Sequence, residues 1–243
     1  MYYNLLSGLA SKLIETNPRL ADFITVLGFI ACAAVAYLLG SLNFGIIFSK
    51  VFYKDDVRNH GSHNAGATNM QRTYGTAAGV ITLVGDALKT VVSCLIGGFL
   101  LGLVGMYISG LFCVIGHILP LYYKFKGGKG VVTVAVLMAM TNIQVFAVLF
   151  VIFMILVIGT RYISMGSVIS ALLYPIVLFK FVSANPEAMP GEYFGVLVAF
   201  VVAIIVVIKH RENIKRILNR TESKISFKKK KTDKKVKNEN KDD

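Results

Sequence analysis

Acidic residues are scarce in this chain: 13 Asp and Glu among 243 residues, against 26 Lys and Arg, with only 3 Cys and 5 Pro. No close group of carboxylates lies within an apolar stretch, which argues against the divalent-metal site that an alcohol phosphotransferase would need. Cys32, Cys94 and Cys113 stand singly in apolar runs, so neither a disulfide nor a CxxC metal motif is expected and no metal or other cofactor is assigned. No internal repeat is evident, which weighs against a transporter built from repeated halves. The glycine-rich runs also lack the spacing and the terminal Gly-Lys-Ser/Thr of a Walker loop.

What is abundant is apolar sequence. Hydrophobic residues make up 55% of the chain and charged residues 16%, with a mean hydropathy of +0.65. A soluble core absorbs one apolar helix, not six long apolar blocks, so the class is a polytopic membrane protein. The first block ends at Lys50, too late for a signal peptide, and no cleavage or lipidation signal is expected at the start. The net charge of +13 is concentrated at the end, where Lys228 to Lys231, Lys234, Lys235, Lys237 and Lys241 face four acids. Such a tail reads as a cytosolic topology anchor near anionic lipid. Nucleic acid is not an expected partner, because the tail offers one aromatic, Phe227, and no folded platform.

Apolar spans are expected at about 23–49, 78–101, 104–123, 162–183 and 191–208, with residues 1–22 as an N-terminal extension suited to the interface. The stretch 131–158 is harder. Lys and Arg bias puts the tail, the loop 50–76, the loop 124–129 and Arg161 on the inside, so 131–158 begins and ends on the same side. It then crosses an even number of times, as two short helices meeting near Thr141-Asn142. The expectation is an all-α bundle of seven transmembrane helices over 23–209, N-terminus outside and C-terminus inside, followed by a basic tail over 210–243. Every polar signature then falls on one face.

Three segments carry those signatures. In His60-Gly61-Ser62-His63-Asn64-Ala65-Gly66-Ala67-Thr68-Asn69, Gly61 and Gly66 permit positive φ and close backbone approach. Ser62, Asn64, Thr68 and Asn69 add short polar groups there, and Arg58 and Arg72 add charge that suits phosphate. Gly127-Gly128-Lys129-Gly130 precedes an apolar helix, where free amides and a lysine can cradle phosphate or form a flexible loop. Arg161, Ser164 and Ser167 share a helix face. His117 is either a base or the partner of a backbone carbonyl. Asp86 and Lys89, three apart on one helix face, read as a mutual ion pair or as a partner for Arg72 or Arg161, and Gly40, Ser41, Asn43 and Gly45 as a small packing face or a cleft wall. His210, Arg211, Glu212 and Asn213 follow the last span.

Taken in order, Gly40 to Gly45, His60 to Asn69 with Arg72 and Gly75, Asp86-Ala87-Leu88-Lys89, Gly116-His117 with Pro120, Phe125 to Gly130, Arg161 to Ser167, and His210 to Arg216 with Glu222 closely resemble the bacterial membrane glycerol-3-phosphate acyltransferases that use acyl phosphate. The resemblance covers about 30–225 and departs from the usual pattern at His63, Asn43 and Thr90. It implies transfer of an acyl group from acyl phosphate to glycerol 3-phosphate, giving 1-acyl-glycerol 3-phosphate and inorganic phosphate, in the bacterial inner membrane with the site facing the cytoplasm. The partners it implies are the two substrates and membrane lipid. It also implies that Ser62, Arg72, Lys129, His210 and Asn213 are catalytic. Gly61, Asn64, Gly66, Thr68, Asn69, Gly127, Gly128, Gly130, Arg161 and Ser164 would surround the phosphates, with His117 as base or support. The HxxxxD signature of soluble-domain acyltransferases is absent around all four histidines.

Overall fold

A computed structural model describes residues 8–185, 187, 188 and 190–225; the lysine-rich run 228–243 lies outside them. Among the described residues there is no strand. The helices are α1 (Leu9–Thr16), α2 (Ala21–Ser41), α3 (Phe44–Tyr53), α4 (Ala67–Tyr74), α5 (Thr76–Ile118), α6 (Val131–Thr141), α7 (Ile143–Thr160), α8 (Ile163–Ala184), α9 (Pro190–Lys209) and α10 (Arg211–Leu218). Five helical segments among the described residues are long and apolar enough to cross a membrane. Large apolar side chains such as Phe23, Phe99 and Ile155 point outward, a belt that water would not tolerate and lipid does.

The 43 residues of α5 do not form one rod. Gly102 adopts φ 63 and ψ −144, which a side chain would resist, and the helix reverses there. A straight helix would hold Lys89 and His117 roughly 42 Å apart, yet Lys89 Nζ lies 3.0 Å from His117 Nδ1. The arms 76–101 and 103–118 pack so closely that a Cβ on Gly97 or Gly105 would collide with the other's carbonyl. Against the second arm lies α2, with Gly40 on the backbone of Cys113 and Gly116 on that of Tyr37. The small face at Gly40 to Gly45 is therefore packing, not a cleft wall: Gly45 sits under the Ala65 carbonyl.

Two expected spans are corrected. The run 23–49 is broken at Leu42-Asn43, where the Asn43 side chain accepts from Ile46 N–H (3.3 Å) and starts α3. Buried Lys89 donates to the carbonyls of Gly40 and Leu42 (both 2.9 Å), completing the end of α2. The stretch 131–158 does split at Asn142, whose side chain accepts from Val145 N–H (2.9 Å). Only one of the two pieces is short, however. The 11 residues of α6 reach about 16 Å, whereas α7 has 18. Chain direction alternates, so α6 leaves the end occupied by the 54–66 loop and α7 returns to it.

The main core joins α5 to α9 through Tyr107, Leu137, Leu149, Tyr174 and Leu178. A second core, with Ala10, Ile14, Cys32, Leu101 and Val104, seats α1 beside the Gly102 reversal, at the end far from those loops.

Candidate active site

At the loop-bearing end, segments remote in sequence enclose a cavity of about 590 Å³. The loop 57–66 is organised by one buried side chain, Asn69 at the start of α4. Its Oδ1 accepts from Ser62 N–H (2.9 Å), and its Nδ2 shares two protons among the carbonyls of Val57 (3.0 Å), His60 (2.9 Å) and Asn64 (2.9 Å). Asn69 thus holds the loop's shape, with both ends of its amide on backbone partners, and it also lines the cavity. Gly61 has φ 58, and a Cβ there would strike Asn69 Oδ1. Gly66 caps α4 without a side-chain hydrogen bond, leaving the first amides, at Ala67 and Thr68, beside the cavity that both residues line.

His63 also lies at positive φ (55), and its Nδ1–H donates to the Arg58 carbonyl (3.0 Å). The left-handed backbone costs about 1 kcal/mol. The hydrogen bond and the lower chain entropy of a non-glycine residue offset it by a similar amount. His63→Gly should therefore leave the thermal midpoint within a few degrees, whereas β-branched His63→Val should lower it by the equivalent of about 1–2 kcal/mol in a thermal unfolding series.

Opposite this loop, Lys129 Nζ donates to Asn213 Oδ1. Asn213 Nδ2 donates to Glu222 Oε1 (2.6 Å), Ser164 Oγ donates to the same oxygen (2.8 Å), and Arg216 Nε donates to Oε2 (2.7 Å). Burial pushes the Glu222 carboxyl up, but these three donors outweigh it and hold the group below its ordinary value. The chain returns here after α10 through Arg220 at φ 57. Ile225 N–H on the Arg161 carbonyl (2.9 Å) then pins it, and Arg72 Nη2 reaches the Ser223 carbonyl (3.4 Å). The segment 210–225, placed in the basic tail by its composition, accordingly contributes His210, Asn213, Arg216, Glu222 and Ser223 to the site. Sequence reasoning did not place Glu222 and Arg216 in the site, although both stood in the ordered resemblance.

His210 is 2% exposed and donates from Nδ1 to the Val206 carbonyl (2.8 Å), which leaves the Nε2 lone pair for the cavity. Burial, then neighbouring Lys129, pushes its pKa down to about 4, so it is neutral at pH 7. Lys129 is lowered to about 8 by burial, and further by Arg216 and Arg72, with Glu222 opposing. Protonated Lys129 is the anion-binding form, so affinity for a phosphate ester should be full below pH 8 and fall as pH rises through it. Initial-rate profiles from pH 6.5 to 9.5 should show kcat/KM for such a substrate declining along this limb, and Lys129→Arg should remove the decline.

Three expected contacts are not made. The amides of Gly127 and Gly128 donate to the carbonyls of Ile118 (3.2 Å) and His117 (3.1 Å), ending α5, so they are not free for phosphate and neither glycine lines the cavity. Arg161 also stays outside; it terminates α7 at φ 64 and contributes its carbonyl. Ser62, Asn64, Gly66, Thr68, Arg72, Lys129, Gly130, Ser164, His210 and Asn213 all line the cavity. His117 lines it too, but its Nδ1 accepts from Lys89 (3.0 Å), because an ammonium has no lone pair to give. With Asp86 Oδ1 2.8 Å from Lys89 and all three side chains 5% exposed or less, Asp86, Lys89 and His117 form a buried, mutually braced group at the cavity. Among the described residues no group of three or more His, Cys, Asp or Glu is placed to hold a metal ion.

The charged residues lining the cavity are Lys129, Arg72 and Arg216 against Glu222 and Asp86, and Asp86 is paired with Lys89, which leaves a positive surplus suited to phosphate. Leu83, Val132, Phe153 and Ile163 add apolar lining.

The glycerol-3-phosphate acyltransferase family profile matches residues 30–220. The chain is 40% identical over 195 residues to the glycerol-3-phosphate acyltransferase of Finegoldia magna, covering 79% of this chain and 93% of that protein. To that of Carboxydothermus hydrogenoformans it is 36% identical over 200 residues, 82% and 98% of the two chains. Among solved structures it is similar to PlsY (YgiH), an integral membrane glycerol 3-phosphate acyltransferase. The glycerol 3-phosphate form gives a TM-score of 0.73 at 31% identity, covering 82% of this chain and 96% of that one. The lysophosphatidic acid form gives 0.70 at 30%, covering 82% and 95%.

Proposed function

This chain belongs to the glycerol-3-phosphate acyltransferase family and is an integral-membrane acyltransferase, and we propose that it transfers the acyl group of an acyl phosphate to glycerol 3-phosphate. The products are 1-acyl-glycerol 3-phosphate and inorganic phosphate. The observation that carries this reading is the cavity's mixed lining: Lys129, Arg72 and Arg216 suit phosphates, and Leu83, Val132, Phe153 and Ile163 suit an acyl chain. We place it in a bacterial inner membrane with seven crossings and the cavity facing the cytoplasm. Support comes from the basic residues, which gather at the cavity end, while Lys12, Arg19 and Lys180 lie toward the far end.

In this reading Lys129 and Arg72 grip glycerol 3-phosphate, with Asn213 orienting the Lys129 ammonium. Ser62 and the first amides of α4 hold the donor's phosphate, and their dipoles favour the charge that develops on the attacked carbonyl. The donor is a mixed anhydride with a good leaving group, so positioning and charge neutralisation suffice without an enzyme-bound acyl group. His210 Nε2 accepts from the attacking hydroxyl and orients it. With its pKa near 4 in the empty site it is a weak base, so the departing phosphate takes the proton.

The test is purified protein in detergent with acyl phosphate and labelled glycerol 3-phosphate, scored for lysophosphatidate, with acyl-CoA and acyl-carrier protein run in parallel. Product from acyl phosphate alone is expected. Equal or faster product from a thioester, or none from acyl phosphate, contradicts the proposed donor.

A further inference from the structure

The two loops that carry the proposed substrate ligands come from opposite sides of the α5 hairpin, and one side chain joins them. Arg58 sits in the short helical turn Val57–Asn59, four residues before Ser62. Its Nε and Nη2 form a two-point pair with Asp56, at 2.9 Å to Oδ1 and 2.6 Å to Oδ2. Asp56 Oδ1 also accepts from Arg58 N–H (3.0 Å), so the turn and the guanidinium are set by one carboxylate. The remaining nitrogen, Nη1, crosses to the other loop and donates to the carbonyls of Lys126 (2.9 Å) and Tyr123 (3.3 Å). Lys126 is three residues before Lys129. Among the described residues, the hydrogen bonds between segments 55–66 and 119–126 both start at this nitrogen.

The surroundings reinforce the link. Lys50 Nζ lies 4.0 Å from Asp56 Oδ2 and 5.6 Å above the Tyr123 ring, and His63 donates to the Arg58 carbonyl (3.0 Å). Beyond Lys126, the Gly127 and Gly128 amides are fixed to the end of α5. Lys129 is therefore held from two directions, by the helix end and by Arg58. The guanidinium uses its planar shape fully: two nitrogens on a carboxylate, the third on two carbonyls. A lysine has no comparable geometry. Arg58 does not line the cavity, so it is not a ligand itself.

We infer that Arg58 is a positioning residue for acyl transfer, a cross-loop clamp that fixes the distance between the Ser62 loop on the donor's phosphate and the Lys129 loop on the acceptor's. This rests on the acyl-transfer reading of the cavity. A misplacement of about 1 Å between two bound reactants costs on the order of 100-fold in rate, which gives such a clamp a large lever.

The test compares wild type, Arg58→Lys and Asp56→Asn in the same detergent, measuring thermal midpoint, KM for each substrate, kcat, and the pH dependence of kcat/KM for glycerol 3-phosphate. Arg58→Lys should lose at least tenfold in kcat/KM with its midpoint within a few degrees of wild type. Its alkaline limb should also move above the wild-type position near 8, because a released loop lets water reach the Lys129 ammonium, whose other charged neighbours (Glu222, Arg216 and Arg72) are unchanged. Asp56→Asn keeps the guanidinium but loosens its brace, and should show the same shift at smaller amplitude. It also serves should Arg58→Lys fail to fold. Free guanidinium should partly restore Arg58→Ala. A profile merely scaled down with the limb in place, or unchanged rates, overturns the inference. Wild type inactive with acyl phosphate would instead sink the underlying functional reading.

Discussion

Lys129→Met should lower kcat/KM for glycerol 3-phosphate by about 10³-fold, the largest loss expected from a single substitution. An electrostatic donor in a water-poor site contributes about 10²–10³. Lys129 is also the cation around which the rest are arranged: half-buried, bonded to Asn213, and flanked by Arg72, Arg216 and Glu222. Methionine keeps the length and apolar stem but gives Asn213 Oδ1 no donor. The loss should be shared between KM for glycerol 3-phosphate, whose phosphate is gripped in the ground state, and kcat, because the same grip positions the attacking hydroxyl. The KM for acyl phosphate should change less than about threefold. Stability should hold, because removing a partly desolvated charge offsets the lost hydrogen bond. Steady-state kinetics with each substrate varied in turn, alongside thermal unfolding, separate these outcomes.

Glu222→Gln should cost about 10²-fold in kcat/KM, with a lower thermal midpoint. Its carboxylate accepts from Ser164, Asn213 and Arg216 at 2.6–2.8 Å. An amide offers one oxygen where the carboxylate offers two, and its NH₂ must face a donor. Asn213 then loses the partner that fixes which way its own amide points. Hydrogen bonds to charged groups contribute about 1.5–3 kcal/mol each, which accounts for the fall in stability. The pH profile supplies a signature of its own. Glu222 raises the Lys129 pKa, so removing its charge should move the alkaline limb below its position near 8, opposite to the shift expected for Arg58→Lys. A limb that stays in place would contradict the role given to Glu222.

Much of this was legible in the chain. Apolar runs gave the all-helical membrane class, and the reversal at Gly102 falls between the runs expected at 78–101 and 104–123. Basic residues flank both ends of 131–158, and Lys129 and Ser164 meet there through Asn213 and Glu222 at one end of the bundle. What escaped depends on single side chains acting across long separations. Hydropathy averages do not register that Lys89 completes the end of α2, so the break at Leu42-Asn43 was invisible. Asn69 carries the same residue type as a phosphate ligand, and only its four backbone contacts reveal a scaffold. Gly127 and Gly128 have the composition of an anion cradle, but their amides end the preceding helix. Glu222 lies nine residues past Asn213, out of helical register, and meets it only because the chain turns back at Arg220.

The central claim is that loops distant in sequence meet at one membrane face around two anionic head groups. Cys32, Cys94 and Cys113 are buried, which gives a quiet background for labelling. Ser62→Cys and Lys129→Cys, made separately and probed with a membrane-impermeant thiol reagent in sealed vesicles of known orientation, test that claim most directly. Both positions should react from the same face. Reaction of the two positions from opposite faces would contradict it.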